Sequence, residues 1–194
     1  MKASIIDGGR LTGTGIDSAG NNGGFVMDKG PSDAILSGCE ELFWPLERRG
    51  EELERNQWLS DLGWPEIMAL ASYMSPYKIP TGTAVCREGD REVFLCLICD
   101  GVIDVVKEDS SGCAKVLTSI SRGKTIGEMS LIDGEPRSAT MIARSDATLL
   151  VLKLAGFRDL AEVHPRLYGK LAEKIARVLS QRLRQTSGAL AEYI

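Results

Sequence analysis

Histidine is almost absent from this chain, which has one among its 194 residues. A single imidazole excludes metal sites that need two or three histidine ligands. No apolar run approaches the roughly 20 residues that a membrane-spanning helix requires, and the opening MKASIIDGGR lacks the apolar stretch of a secretory signal. Basic residues number 23 against 27 acidic ones, and a net charge of -4 argues against a protein that wraps nucleic acid through its phosphates.

A disulfide framework is also missing. Five cysteines form no regular pattern, which favours reduced thiols and a cytoplasmic location. Cys96 and Cys99 have the spacing of half a zinc site, but on a strand residues three apart point to opposite faces, so we expect core packing. Gly123-Lys124-Thr125 resembles the end of a P-loop, yet the first glycine of that motif would fall at Thr118. A cupin-type metal enzyme needs several histidines. We therefore expect no bound metal and no enzymatic activity.

Charge and glycine are distributed unevenly along a chain of otherwise ordinary globular composition, 43% apolar and 26% charged. Residues 1–38 contain nine of the 21 glycines and predict a flexible tail. Residues 39–62 predict an acidic helical lead-in, and residues 63–194 the main domain. Residues 39–66 carry a net charge of -5 and residues 153–194 one of +4. The two segments could lie against each other, or both could be solvated helix faces.

The apolar pattern of the main domain changes period twice. Trp64-Pro65-Glu66 predicts a helix start, and the apolar spacing from Ile67 to Met74 predicts one helical face. Helical spacing returns at Leu154 and predicts two helices, the second carrying apolar residues from Leu167 to Leu183. In between, short apolar runs separated by turn residues predict strands of an antiparallel barrel or jelly roll; these runs are Thr83–Cys86, Val93–Cys99, Val102–Val106, Val116–Ile120, Ala139–Ala143 and Thr148–Leu152. The predicted fold is mainly β, a jelly roll with an N-terminal helical segment and two C-terminal helices.

One segment interrupts the strands with a short helical stretch, Ile126-Gly-Glu-Met-Ser-Leu-Ile-Asp-Gly-Glu-Pro-Arg-Ser-Ala-Thr140. It resembles the phosphate-binding cassette of cyclic nucleotide-binding domains, the family of catabolite-activator-type regulators and kinase regulatory subunits. Every charged and glycine element of the family pattern is present. The resemblance extends over about residues 62–193, because the order of helix, strands, cassette, strands and two helices matches as well.

The resemblance implies a ligand site for cAMP or cGMP. Arg137 would contact the phosphate with its planar donor fork, and Glu128 would accept the ribose 2′-hydroxyl. Gly127 would let the backbone approach the sugar closely. The turn at Met129 and Ser130 would present free N–H groups to the anion, Ser138 would donate to the phosphate, and Ala139 would leave room for the sugar–phosphate ring.

Base recognition is less defined by the sequence. In catabolite-activator-type members a Thr-Ser pair on the long helix contacts the base, and alignment of that helix places Arg182 and Leu183 there. Thr186-Ser187 lies about one turn later. Arg182 and Thr186 are therefore possible base contacts, and the sequence does not separate cAMP from cGMP.

Two functions remain open at this point. The first is a stand-alone cyclic nucleotide receptor, without a DNA-binding or catalytic output domain, that signals through a protein partner or its own oligomeric state. The resemblance suggests a homodimer through the last helix. The net negative charge and the lack of a long apolar run predict no direct contact to DNA or membrane. The second is a ligand-free interaction scaffold on the same fold, in which Glu128 and Arg137 pair only with each other.

Overall fold

The structure is a computed structural model that describes residue 36 and residues 38–109 and 112–191. The helical segment before the barrel contains α1, a short 3₁₀ turn and α2, at Leu46–Glu54, Gln57–Leu59 and Trp64–Ser72. The described residues contain nine strands, β1 to β9 in chain order: Glu40–Glu41, Met74–Ile79, Ala84–Cys86, Phe94–Asp100, Val102–Glu108, Ala114–Ser121, Thr125–Ile126, Thr140–Ala143 and Ala147–Lys153. The remaining helices α3, α4 and α5 are Glu128–Asp133, Leu154–Val163 and Pro165–Ala191.

The strands form two antiparallel sheets of five and four strands. One has the order β1-β2-β9-β4-β7 and the other β3-β8-β5-β6. The flanking helices pack on the outside of the first sheet, so the predicted jelly roll with helices at both ends is confirmed.

Strands β4 and β9 lie at the centre of the molecule and are buried on both faces. In β4, Leu95 and Leu97 belong to the apolar cluster shared with the helices, whereas Phe94 and Ile98 belong to the barrel interior. In β9, successive residues from Leu149 to Leu152 alternate in the same way. This alternation follows from the two-residue period of a strand.

The N-terminal helices complete the outer cluster. Leu53 and Leu59 are each 1% exposed and pack in the same cluster as Leu97 and Ile175. Two ion pairs connect this region to α5, from Lys170 to Glu66 and from Lys174 to Asp61. The acidic and basic segments therefore lie against each other at these pairs.

Two parts of the predicted pattern differ from the structure, and a third is not tested by it. The helix expected to continue to Met74 ends at Ser72, and Met74 begins β2, which pairs with β9 from Met74↔Leu152 to Ile79↔Ala147. Strands β1 and β7 were not predicted, since each has only two residues. The tail predicted over residues 1–38 lies outside the described residues except at Leu36 and Gly38, and Leu36 is buried in the barrel interior.

The last helix follows its apolar pattern only in part. Leu167, Leu171 and Ile175 are buried, but Leu183 is 69% exposed. From residue 181 to residue 188 every residue is exposed except Arg182, which is half-buried. The second half of α5 thus extends beyond the packed body.

Candidate functional site

The cassette begins where β7 runs into α3. Gly127 joins the two with φ of 85°, and Gly134 ends the helix with φ of 72°. A Cβ on Gly127 would lie 2.5 Å from the Phe94 carbonyl oxygen and 2.6 Å from Nη1 of Arg137. Glycine is therefore required here by conformation and by space, and the group that occupies the space beside it is the Arg137 guanidinium.

Arg137 is buried, with 3% of it exposed, and protein groups hold its guanidinium in place. Its Nη1 donates to Ser130 Oγ at 2.8 Å and to the Gly127 carbonyl at 3.4 Å, and its Nη2 donates to the Phe94 carbonyl at 2.9 Å. The guanidinium carbon lies 4.0 Å from the centroid of the Phe94 ring, in cation–π geometry. Three protein groups and one aromatic face thus fix the plane of this cation.

The Arg137 charge has no anionic partner among the described residues. No ion pair of theirs includes it, and its Nε–H is buried without a hydrogen-bond acceptor. Burial raises the pKa of Cys86 to about 11 and that of Cys96 well above its ordinary value, so the thiols nearby stay neutral. Since a buried, uncompensated charge is strongly unfavourable, this arrangement is the one expected for a site that receives an anion.

Glu128 lies on the other side of the cassette and is 1% exposed. One carboxylate oxygen accepts from Thr125 Oγ1, and the other accepts from Arg182 Nη1 at 2.8 Å. Arg182 Nη2 also donates to the Thr125 carbonyl at 2.6 Å. The pair between Glu128 and Arg137 that a scaffold would use is therefore absent, and Glu128 pairs with α5 instead.

The other predicted site residues surround these two charges. Ser130 is buried and Ala139 is 6% exposed, whereas Met129 is 50% exposed and Ser138 lies at the surface. Ser138 Oγ lies 3.7 Å from Met129 Sδ, and the Ser138 carbonyl accepts from Lys107 Nζ at 2.9 Å. The seven predicted cassette residues all lie between β7 and β8; five of them are buried, and only Met129 and Ser138 are exposed.

The two predicted base contacts differ in position. Arg182 contacts the cassette directly, as described above. Thr186 is exposed one turn further along α5, and its hydroxyl donates to the Arg182 carbonyl of its own helix. The structure brings Arg182, and not Thr186, to the predicted site.

The sequence pattern does not indicate three further residues that contact the site. Phe94 supplies a carbonyl and a ring to Arg137 from 43 positions away, Thr125 holds Glu128, and Lys107 reaches Ser138 from β5. Of the three, only Thr125, two residues before Gly127, lies next to the motif in the sequence.

Other kinds of site find no support in the described part of the chain. No group of three histidine, cysteine or acidic side chains there could hold a metal ion. Cys96 and Cys99 lie in different apolar clusters, on opposite faces of β4 as predicted. Among the helices described, none is long and apolar enough to cross a membrane.

Comparison with known proteins agrees with this geometry. Residues 77–164 match the family model described as the cyclic nucleotide-binding domain. The chain is 28% identical over 124 residues to the cAMP-activated global transcriptional regulator of Pasteurella multocida; this alignment covers 63% of the chain and 59% of the regulator. It is 30% identical over 130 residues to the cAMP-dependent protein kinase regulatory subunit of Dictyostelium discoideum, covering 65% of the chain and 36% of the subunit.

Among solved structures, a cyclic nucleotide-binding domain from Methylobacillus flagellatus is similar with a TM-score of 0.72 and 28% identity. That alignment covers 80% of this chain and 89% of the other. The chain spans less than two thirds of the length of the curated relatives named above.

Proposed function

We propose that this chain, which contains a cyclic nucleotide-binding domain, is a receptor that binds cAMP or cGMP at the cassette around Arg137. The observation that carries the proposal is the buried Arg137 cation with no anionic partner among the described residues. A cyclic phosphodiester would supply the missing negative charge. Relatives named as cAMP-activated or cAMP-dependent support this class of ligand.

The donors left on Arg137 suit a phosphodiester. A guanidinium has five N–H donors, and the three hydrogen bonds of Arg137 leave the Nε–H and one Nη2–H without a protein acceptor. Nε and Nη2 are adjacent on one edge of the planar group, and such an edge would match the two exocyclic oxygens of a phosphate. Ser138, exposed beside the edge of the cassette, would add its hydroxyl, and Glu128 would accept the ribose 2′-hydroxyl.

Isothermal titration calorimetry tests the proposal, with cAMP and cGMP titrated separately into the wild-type chain. A micromolar ligand corresponds to about 8 kcal/mol of binding free energy, and one charge-assisted hydrogen bond contributes about 1.5–3 kcal/mol. Arg137→Ala should therefore weaken binding by a factor of about 10–150. Arg144→Ala removes an exposed arginine from the end of β8 and is the matched control, with unchanged affinity.

The melting temperature of the wild-type chain gives a second measurement of binding that does not depend on whether a variant folds. Nucleotide at 100 times its dissociation constant should stabilise the wild-type fold by about 2.7 kcal/mol, or a rise of about 5–10 °C in melting temperature for a domain of this size. Absence of heat and of a melting-temperature rise with both nucleotides at millimolar concentration would reject the proposal and favour the ligand-free scaffold.

We further propose that the output is a protein contact and not catalysis, made through a partner or a homodimer along α5. Its support is the second half of that helix, where Leu183 is exposed beyond the packed body. Light scattering of the wild type and of Leu183→Glu, with and without nucleotide, measures this directly. A monomer under all four conditions would exclude the homodimer.

A further inference from the structure

The contact between Arg182 and Glu128 has a consequence for ligand specificity, which rests on the proposed cyclic nucleotide site. The carboxylate that would accept a 2′-hydroxyl accepts one hydrogen bond on each oxygen, from Thr125 and from Arg182. Each oxygen keeps a further lone pair, so the obstacle to a 2′-hydroxyl is the space that these two side chains fill. With 1% of Glu128 exposed, no free surface remains on it for an incoming hydroxyl. A neighbour must move before the sugar can reach the carboxylate.

Of the two neighbours, Arg182 is the one able to move. Thr125 is 3% exposed and lies in β7, where it pairs with Leu97 of the buried strand β4. The Arg182 side chain is 38% exposed and belongs to the half of α5 whose neighbours from 181 to 188 are all exposed. Its guanidinium can rotate into water without disturbing the core.

We infer that Arg182 is a specificity-determining residue that competes with the ligand for Glu128. A nucleotide with a 2′-hydroxyl displaces Arg182 from the carboxylate, whereas a 2′-deoxynucleotide leaves the contact in place. Arg182 also donates to the Thr125 carbonyl, so its displacement removes the two hydrogen bonds by which this side chain holds the second half of α5 to the cassette. Occupancy of the ribose site is thereby linked to the attachment of α5.

If Arg182 competes for Glu128, Arg182→Ala should tighten cAMP binding. If Arg182 contacts the base instead, the same variant should weaken it. Calorimetry compares 3′,5′-cAMP with 2′-deoxy-3′,5′-cAMP on the wild type, Arg182→Ala and Arg184→Ala. Removal of the competitor should tighten cAMP binding about tenfold, the equivalent of about 1.4 kcal/mol, and leave the deoxynucleotide within twofold of the wild type. Arg184→Ala removes an exposed arginine two residues away and should change neither affinity.

The other outcomes each overturn the competition. Equal weakening of both nucleotides by Arg182→Ala would make Arg182 a base contact. Selective weakening of cAMP would make it a positioning residue for Glu128. An unchanged cAMP affinity would show that no displacement takes place. If nucleotide gives no binding heat with either the wild type or Arg182→Ala, both the proposed function and the competition are rejected. If the wild type binds nucleotide, a failure of the competition leaves the proposed function standing.

Hydrogen exchange of the ligand-free protein gives an independent reading of the attachment. Amides of residues 183–188 should exchange several-fold faster in Arg182→Ala and Glu128→Gln than in the wild type and Arg184→Ala. Equal exchange in all four proteins would show that the contact does not hold α5, and would overturn the link between the ribose site and the helix.

Discussion

Gly127 and Gly134 offer a matched pair of substitutions at the two ends of α3. Both glycines have a left-handed φ, 85° and 72°, so alanine at either position has the same conformational cost, about 1–2 kcal/mol. They differ in space. A Cβ on Gly134 meets nothing within 4 Å, whereas on Gly127 it would lie 2.5 Å from a backbone carbonyl and 2.6 Å from Arg137 Nη1. The difference between the two variants therefore isolates the contact with the Arg137 site.

We expect Gly134→Ala to lower the free energy of unfolding by about 1 kcal/mol and Gly127→Ala to lower it by about 2–4 kcal/mol. On a domain of this size each kcal/mol corresponds to about 2–4 °C of melting temperature. Urea unfolding measures both values, and nucleotide titration should show weaker binding for Gly127→Ala alone. Equal destabilisation of the two variants would refute the reasoning, because it would mean that β4 and Arg137 yield to a Cβ without cost.

Two further predictions concern charge and thiols. Hydrogen bonds from Lys174 and Lys170 lower the pKa of Asp61 and Glu66, respectively. A carboxyl group whose pKa is lowered by folding stabilises the fold above its ordinary pKa, and this stabilisation is lost as the pH falls through the folded-state pKa. Melting temperature should therefore fall more steeply below pH 4.5 in the wild type than in a Lys170→Ala/Lys174→Ala variant, and parallel curves would contradict these pairs. Cys113 is exposed and should react with a thiol reagent at once, whereas Cys86, Cys96 and Cys99 are buried and should react only after unfolding. Rapid labelling of Cys96 in the native protein would disprove the packing of β4.

The cassette could be predicted from the sequence because its elements are local. Gly127, Glu128 and Arg137 lie close together in the sequence. The conformational freedom of a glycine and the charges of Glu128 and Arg137 do not depend on the rest of the fold. The partners of those charges could not be predicted. Phe94 is 43 positions from Arg137, and Arg182 is 54 positions from Glu128. Such contacts depend on how the sheets close and on where α5 crosses the cassette.

The main error in the fold, the missed β2, has a similar cause. The helical spacing from Ile67 continues into Met74, and Pro76 argues against a strand. Pro76 is nevertheless accommodated between β1 and β9, where its carbonyl accepts from the Leu42 amide. Tertiary pairing with β9 decides the structure of this segment, against its local pattern.

The two-sided burial of β4 and β9 determines how this domain can be divided. Leu95, Leu97 and Leu152 turn toward the N-terminal helices, and Leu53 and Leu59 cover them from residues before the predicted boundary at 63. A fragment beginning at residue 63 would keep the whole cassette and strands β2 to β9, but it would lose β1 and leave one face of its central strands uncovered. We infer that the smallest unit able to fold begins ahead of α1, so the acidic lead-in is part of the domain and not an attachment to it.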